Sequence, residues 1–73
     1  MYKKGRELHE RRITFEEIYG IKEKEGRVFK VSYVDSNHVR TERIFQYKHN
    51  LLMFVENPSF KQIKLYVGDV VYE

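Results

Sequence analysis

Apolar and polar residues alternate over most of the chain after residue 12, and a period of two is typical of strands with one buried face. This alternation predicts a strand from about Ile18, a second over residues 27–35 and a third over residues 39–46. Residues 24–26 fit a three-residue hairpin loop with Gly26 in the left-handed position. The sequence therefore predicts a three-stranded antiparallel meander.

The register of the second hairpin depends on its loop. A two-residue turn would set Lys30 opposite Arg43, a like-charge pair that costs stability. A three-residue loop over residues 36–38 avoids this contact and asks His38 to adopt the left-handed conformation. It also places Arg43 on the same face as the apolar residues. The expected cross-strand pairs are Phe29 with Phe45, Val31 with Arg43, Ser32 with Glu42 and Tyr33 with Thr41.

Residues 13–17 carry two competing signals. They continue the alternation, but Thr14 and Glu17 also form a capping box, and Gly20 is a typical helix stop. The capping box would make residues 15–19 one helical turn. We favour a strand from Ile18 onward and leave residues 13–17 open between strand and helix.

Residues 49–57 predict a short helix. Asn50 is a good N-cap, apolar residues follow at helical spacing, and Pro58 makes the preceding residue a stop. The alternative for residues 50–56 is a strand, because the apolar run 51–55 is continuous and its periodicity does not decide between the two.

A last strand is predicted over residues 61–67, with Ile63, Leu65 and Val67 inward and a bulge or turn at Gly68. Whether it runs parallel or antiparallel to its neighbour stays open. Residues 13–73 therefore predict a single α+β domain of order β-β-β-α-β, a small antiparallel sheet with one short helix on one face. A third of the chain is Val, Ile, Phe or Tyr and none is Ala, which also favours a sheet.

The positive charge is concentrated at the start of the chain. The 73 residues carry a formal charge of +3, and residues 1–12 alone hold five bases and two acids. The remaining residues hold nine charges of each sign and are neutral on balance. We predict that residues 1–12 form a basic N-terminal arm, either mobile or a short helix, since so short a helix without a packed face is marginal in water.

The residues that usually carry chemistry are few and dispersed. There is no cysteine for a disulfide or a thiolate metal site, the three histidines lie far apart, and the glycines form no phosphate loop. No serine lies in a nucleophile elbow. We therefore expect no enzyme, no catalytic or cofactor-binding residue and no metal. The charged N-terminus and the five-residue limit on apolar runs predict a cytoplasmic protein without a membrane partner.

The sequence leaves two kinds of binding surface. Tyrosine is common at protein interfaces, and the sequence has more tyrosines than the predicted core needs, so we expect a protein partner. The chain would act on that partner as an inhibitor or adaptor, and we also expect it to form a homo-oligomer. The candidate contacts are Tyr47, Tyr66 and Tyr72. The alternative is an anionic ligand, a nucleic acid or nucleotide, held by basic residues of the arm and central hairpin. Its candidate contacts are Lys3, Lys4, Arg6, Arg11, Arg12, Arg40, Arg43 and Lys48. In composition alone, the short chain rich in Lys, Glu and Tyr resembles the small accessory proteins of bacterial phages.

Overall fold

The computed structural model describes residues 6–72, with side chains from residue 8 to residue 70. Six elements follow one another in the order β-α-β-β-α-β. They are β1 (Arg6–Ile13), α1 (Phe15–Gly20), β2 (Arg27–Val34), β3 (Arg40–Phe45), α2 (Lys48–Phe54) and β4 (Lys61–Tyr72). No helix in this part of the chain has the length and apolarity that crossing a bilayer requires.

The four strands form one sheet in the order β1-β4-β2-β3, and every neighbouring pair is antiparallel. The buried hydrophobic residues of the sheet occupy odd-numbered positions, so they share one face, and the fully buried Ile18 of α1 and Leu51 of α2 pack against them. We call this the helix face and the other side, formed by the even-numbered strand residues, the open face. The core is a single layer of side chains between sheet and helices; its sheet members are Ile13, Phe29, Val31, Tyr33, Leu65 and Val67.

The α+β class and the antiparallel sheet are confirmed, and so is the register of the β2–β3 hairpin. Phe29 pairs with Phe45, Val31 with Arg43, Ser32 with Glu42 and Tyr33 with Thr41. His38 has a φ of 65°, and the loop closes through Asp35, whose N–H donates to the carbonyl of Val39 at 3.0 Å. Avoiding one like-charge pair was therefore enough to fix the loop length.

The expected first strand from Ile18 is wrong, because this segment belongs to helix α1. Thr14 Oγ1 accepts from the N–H of Glu17 at 3.0 Å, and the Glu17 carboxylate accepts from the N–H of Thr14 at 2.9 Å. This capping box satisfies two N–H groups locally and decides against the strand pattern. Residues 24–26 consequently join no hairpin, although Gly26 does adopt the left-handed conformation, with a φ of 83°.

Residues 6–12, which we expected as an arm or a short helix, form strand β1 together with Ile13. β1 pairs with β4 without a register shift, from Arg6 opposite Tyr72 to Ile13 opposite Leu65. The pairing partner lies more than fifty residues away in the sequence, so the local charge pattern gave no sign of it. Residues 1–5 of the expected arm lie outside the described residues.

Helix α2 confirms the helix predicted over residues 49–57, but its start is capped differently. Asn50 lies inside the helix, and Tyr47 at the cap makes no side-chain hydrogen bond to it. Instead, the carboxylate of Glu23 accepts from the N–H of Lys48 at 2.6 Å. A side chain from the segment after α1 thus supplies the acceptor that the helix end requires.

Strand β4 runs straight through the bulge that the sequence predicted at Gly68. Gly68 lies under the Leu8 side chain, and a Cβ there would come within 2.8 Å of Leu8 Cδ1. The residue therefore serves a close approach between neighbouring strands rather than a bend. The irregularity lies instead opposite Ser32 and Val34, where Gln62 has a φ of 51°.

One ion pair joins β2 to β4 at the end of the sheet farthest from the hairpin loop. Arg27 binds the Asp69 carboxylate in a fork, with Nε to Oδ1 at 2.6 Å and Nη2 to Oδ2 at 3.1 Å. Its Nη1 also donates to the carbonyl of Lys22 at 2.9 Å. The hydrogen bond from Arg27 holds the pKa of Asp69 below its ordinary value, against the opposing effect of partial burial.

We expect Gly26→Ala to lower the free energy of unfolding by about 1 kcal/mol or more, because a Cβ is strained at positive φ. Gly20→Ala is the matched control: its added Cβ meets no atom within 4 Å, so stability should stay equal or rise by up to ~1 kcal/mol. Urea unfolding of both variants measures the difference. Equal effects would contradict the role assigned to the left-handed residue.

We expect the Arg27–Asp69 pair to make stability depend on pH in the acid range. Because the folded pKa of Asp69 is lowered, its contribution is complete above the unfolded value of about 3.9 and disappears as the pH falls through the folded pKa. The carboxylate is partly exposed, so Asp69→Asn should cost only ~0.2–1 kcal/mol at neutral pH and nothing in strong acid. Urea unfolding across this pH range, with the exposed Glu56→Gln as control, tests the pattern; a cost that stayed constant with pH would refute it.

Candidate protein-binding site

Among the described strands, β1 has a neighbour on one side only, so its outer side is a sheet edge. The N–H of Val70 donates to the carbonyl of Gly26 at 2.7 Å, so the even-numbered residues of β4 direct their backbone groups toward β2. Successive residues of a strand alternate in this respect, and the odd-numbered residues of β4 therefore bond to the odd-numbered residues of β1. The N–H and C=O groups that β1 directs away from the sheet are those of Arg6, Leu8, Glu10 and Arg12.

The second sheet edge, on β3, is shorter. By the same alternation its outward groups belong to Arg40, Glu42 and Ile44. The Arg40 guanidinium folds back over the sheet, to Ser32 Oγ at 2.7 Å and Gln62 Oε1 at 3.0 Å. Both strands lack proline and glycine and pair with their inner neighbour without a bulge, but β1 has eight residues against six in β3. Within the described chain, β1 is therefore the edge best suited to accept another strand.

A groove opens beside the C-terminal end of β1, between α1 and the start of β4. Phe15 and Tyr19 stand one turn apart on α1 and are 42% and 69% exposed, while Ile18 between them is fully buried. The groove encloses about 620 Å³, and its lining combines aliphatic side chains, two aromatic rings and two charged residues of opposite sign. Its lining consists of Arg12, Ile13, Thr14, Phe15, Glu16, Tyr19, Ile63 and Leu65.

Sequence reasoning missed this groove because it placed Tyr19 on a strand that begins at about Ile18 rather than on a helix. Once α1 is a helix, Phe15 and Tyr19 lie at the i, i+4 spacing that puts two side chains on one face. The Thr14–Glu17 capping box was the signal that could have revealed it.

The middle of the open face is held by Lys30. Its Nζ lies 3.0 Å from Glu10 Oε1 on β1 and 3.7 Å from Glu42 Oε2 on β3, and 4.9 Å from the ring centre of Tyr66 on β4. The hydrogen bond to Glu10 raises the pKa of Lys30. One cation therefore bridges all four strands, and it is engaged within the sheet rather than offered to a ligand.

The basic residues expected from the arm are divided between two faces. Arg11 and Arg12 are both exposed, but as neighbours on a strand they belong to the helix face and the open face respectively. Arg6 begins β1, and Lys3 and Lys4 lie outside the described residues.

The basic residues of the hairpin have internal contacts. The Arg43 guanidinium lies 5.0 Å from the ring centre of Phe54 and 6.0 Å from that of Phe45, which explains why an arginine occupies the helix face of β3. Lys48 Nζ lies 3.4 Å from the carbonyl of Tyr19, and Arg40 contacts Ser32 as described. These three cations do not converge on one surface with Arg11 and Arg12.

The candidate interface tyrosines are likewise separated. Tyr47 is exposed at the start of α2, whereas Tyr66 lies half-buried on the open face beneath Lys30. Tyr72 ends β4, and its side chain lies outside the described part. The exposed aromatic pair that the structure does bring together is Phe15 with Tyr19.

A small polar hollow beside the β2–β3 loop contains Asp35, Ser36, His38 and Ser59 and encloses about 340 Å³. Asp35 Oδ1 is committed to the loop, accepting from the N–H groups of Asn37 at 2.8 Å and Val39 at 3.1 Å. No hydrogen bond joins the two serines to His38 here, and the side chains described for this chain form no group of three metal-ligating residues. The hollow therefore presents no positioned nucleophile and base.

Comparison with known proteins finds no matching family model, no similar curated protein and no similar solved structure. The functional argument accordingly rests on the β1 edge and the groove beside it.

We expect substitutions at two adjacent residues of α1, one buried and one exposed, to differ in their effect on the free energy of unfolding. Ile18→Ala should lower the free energy of unfolding by about 2–5 kcal/mol because it leaves a cavity, whereas Tyr19→Ala should change it by less than ~0.5 kcal/mol because its ring is exposed. Urea unfolding of the two variants measures both values. A large loss of stability in Tyr19→Ala would show that the ring belongs to the core instead of a binding surface.

Proposed function

We propose that the protein is a non-enzymatic binding module that docks an extended segment of a partner protein along the outer edge of β1. The observation that carries the proposal is the row of outward N–H and C=O groups on an eight-residue edge strand free of bulge and proline. Strand addition uses such a row for affinity and side-chain pockets for selectivity.

The groove beside β1 supports the same proposal. A segment lying along β1 passes Arg12, which belongs both to the edge and to the groove lining. An apolar side chain of that segment can enter between Phe15, Tyr19 and Ile63, where it covers exposed aromatic surface. Leu8, 44% exposed on the open face, adds a second apolar contact near the other end of the strand.

Binding of an anionic ligand is the alternative proposal, and we favour docking of a protein segment over it. Of the bases named for an anion, those whose side chains are described lie on different faces or contact neighbouring groups, whereas the edge and the groove adjoin each other at Arg12. A cytoplasmic setting belongs to the proposal, supported by the absence of cysteine. Anion binding would be recognised by a steep loss of affinity with added salt.

We expect peptides selected from a displayed random library to distinguish Leu8→Pro from Leu8→Ala. Both substitutions remove the leucine side chain, but only proline removes an N–H that points away from the sheet. Peptides that bind the wild type should bind Leu8→Ala and lose roughly five- to tenfold in affinity toward Leu8→Pro, since at least one backbone hydrogen bond is lost. Titration by fluorescence anisotropy measures this.

Two controls keep this experiment decisive. Leu8→Pro should unfold within about 1 kcal/mol of Leu8→Ala, whereas His9→Pro removes an N–H that bonds to β4 and should be clearly less stable. Selected peptides that bind Leu8→Pro and Leu8→Ala equally well would show that docking does not use the β1 edge. Affinity that collapses with salt would point to the anionic alternative.

A further inference from the structure

The charged residues of β1 make the strand complementary to its own reverse. Residues 6–10 read Arg, Glu, Leu, His, Glu. When this segment is set antiparallel to a second copy with Leu8 opposite Leu8, Arg6 stands opposite Glu10, and Glu7 stands opposite His9. Each Arg6 then faces a carboxylate, which stabilises a cross-strand pair, and each Glu7 faces a histidine rather than another acid.

The direction of the backbone groups fits the same register. Arg6, Leu8 and Glu10 direct their N–H and C=O groups outward, as deduced from the bond between Val70 and Gly26. These are the residues that would face each other in the Leu8–Leu8 pair and in the two Arg6–Glu10 pairs. Each of these pairs can exchange two N–H···O=C bonds, as closely bonded antiparallel pairs do.

Other registers are less favourable. A two-fold axis at His9 would set Arg6 opposite Arg12, and an axis at any charged residue would set that residue against its own copy. Among residues 6–10, the register that centres on Leu8 sets no like charges opposite each other. Like-charge pairs cost stability, so Leu8 is the preferred centre.

We propose that β1 pairs with β1 of a second copy around a two-fold axis at Leu8, so that two four-stranded sheets join into one sheet of eight. This inference rests on the proposed use of the β1 edge and names its partner. The axis stands perpendicular to the sheet, which keeps both helix faces on the same side. The exposed Leu8 side chains, each beside Gly68 of its own chain, then cover one another.

Charge exchange across the axis tests the register. In Arg6→Glu both Arg6–Glu10 pairs become acidic, and in Glu10→Arg both become basic, so each variant alone should sediment as the single 9.0 kDa chain while the wild type sediments at twice that mass. Mixed in equal amounts, the two variants restore both pairs and should form a heterodimer, seen by native mass spectrometry. Lys22→Glu, the same charge change at an exposed residue outside β1, is the matched control and should remain a dimer.

Several outcomes would overturn the inference: a wild type that stays a single chain across a wide concentration series, single variants that remain dimers, or folded variants that stay apart when mixed. Circular dichroism shows whether each variant folds. Glu10→Arg also loses the contact with Lys30, and if it does not fold, the mass of Arg6→Glu by itself tests the register. A monomeric wild type whose selected peptides still depend on the Leu8 N–H would overturn only self-pairing. Peptides that ignore Leu8→Pro would overturn the proposed function itself.

Discussion

The structure depends on the insertion of β4 between β1 and β2. This twelve-residue strand satisfies the backbone of both neighbours at once, with odd-numbered residues bonding to β1 and even-numbered residues to β2. Its Leu65 and Val67 also form the centre of the buried layer. Without β4, β1 would have no partner among the described strands, and the core would lose Leu65 and Val67, two of its eight buried hydrophobic residues. Nonlocal pairing, rather than local propensity, therefore holds this small domain together.

The two faces of the sheet are stabilised by different forces. The helix face buries aliphatic and aromatic side chains. In its aromatic cluster the ring centres of Tyr33 and Phe60 are 4.4 Å apart, and those of Phe54 and Phe60 are 4.8 Å apart. None of the described elements covers the open face, and its interior positions combine charged and apolar groups around Lys30. Partly exposed ion pairs contribute little each, and the gain at Lys30 comes from linking several strands through one side chain. The backbone groups without a partner in the described sheet therefore lie along its edges, such as the outer side of β1, and not on the open face.

Some of this structure could be derived from the sequence, and the limits have physical causes. The β2–β3 hairpin was accessible because its register is set by neighbours in sequence and by the repulsion between Lys30 and Arg43. Helix α1 was within reach, since Thr14 and Glu17 signal a helix start, but the alternation around them competed with that signal. Strand β1 could not be predicted, because five of its eight residues are charged, on both faces of the strand, and its partner is distant in the sequence. The candidate site suffered from the same two errors: Phe15 and Tyr19 form a surface only on a helix, and an edge exists only once β1 is a strand.

The sequence distance between β1 and β4 has a consequence for how the molecule assembles. Strands that pair across most of a chain close late in folding, because the entropy of the intervening loop must be lost before the contacts form. Until β4 arrives, β1 has two open sides instead of one, and its inner side would expose the backbone groups of Glu7, His9 and Arg11. A chain caught at this stage could add a strand from the wrong direction, which is a general hazard of unpaired strands in partly folded proteins. Five of the eight residues of β1 are charged, and charge on an unpaired strand opposes such association, so the feature that obscured the strand in the sequence also protects it during folding.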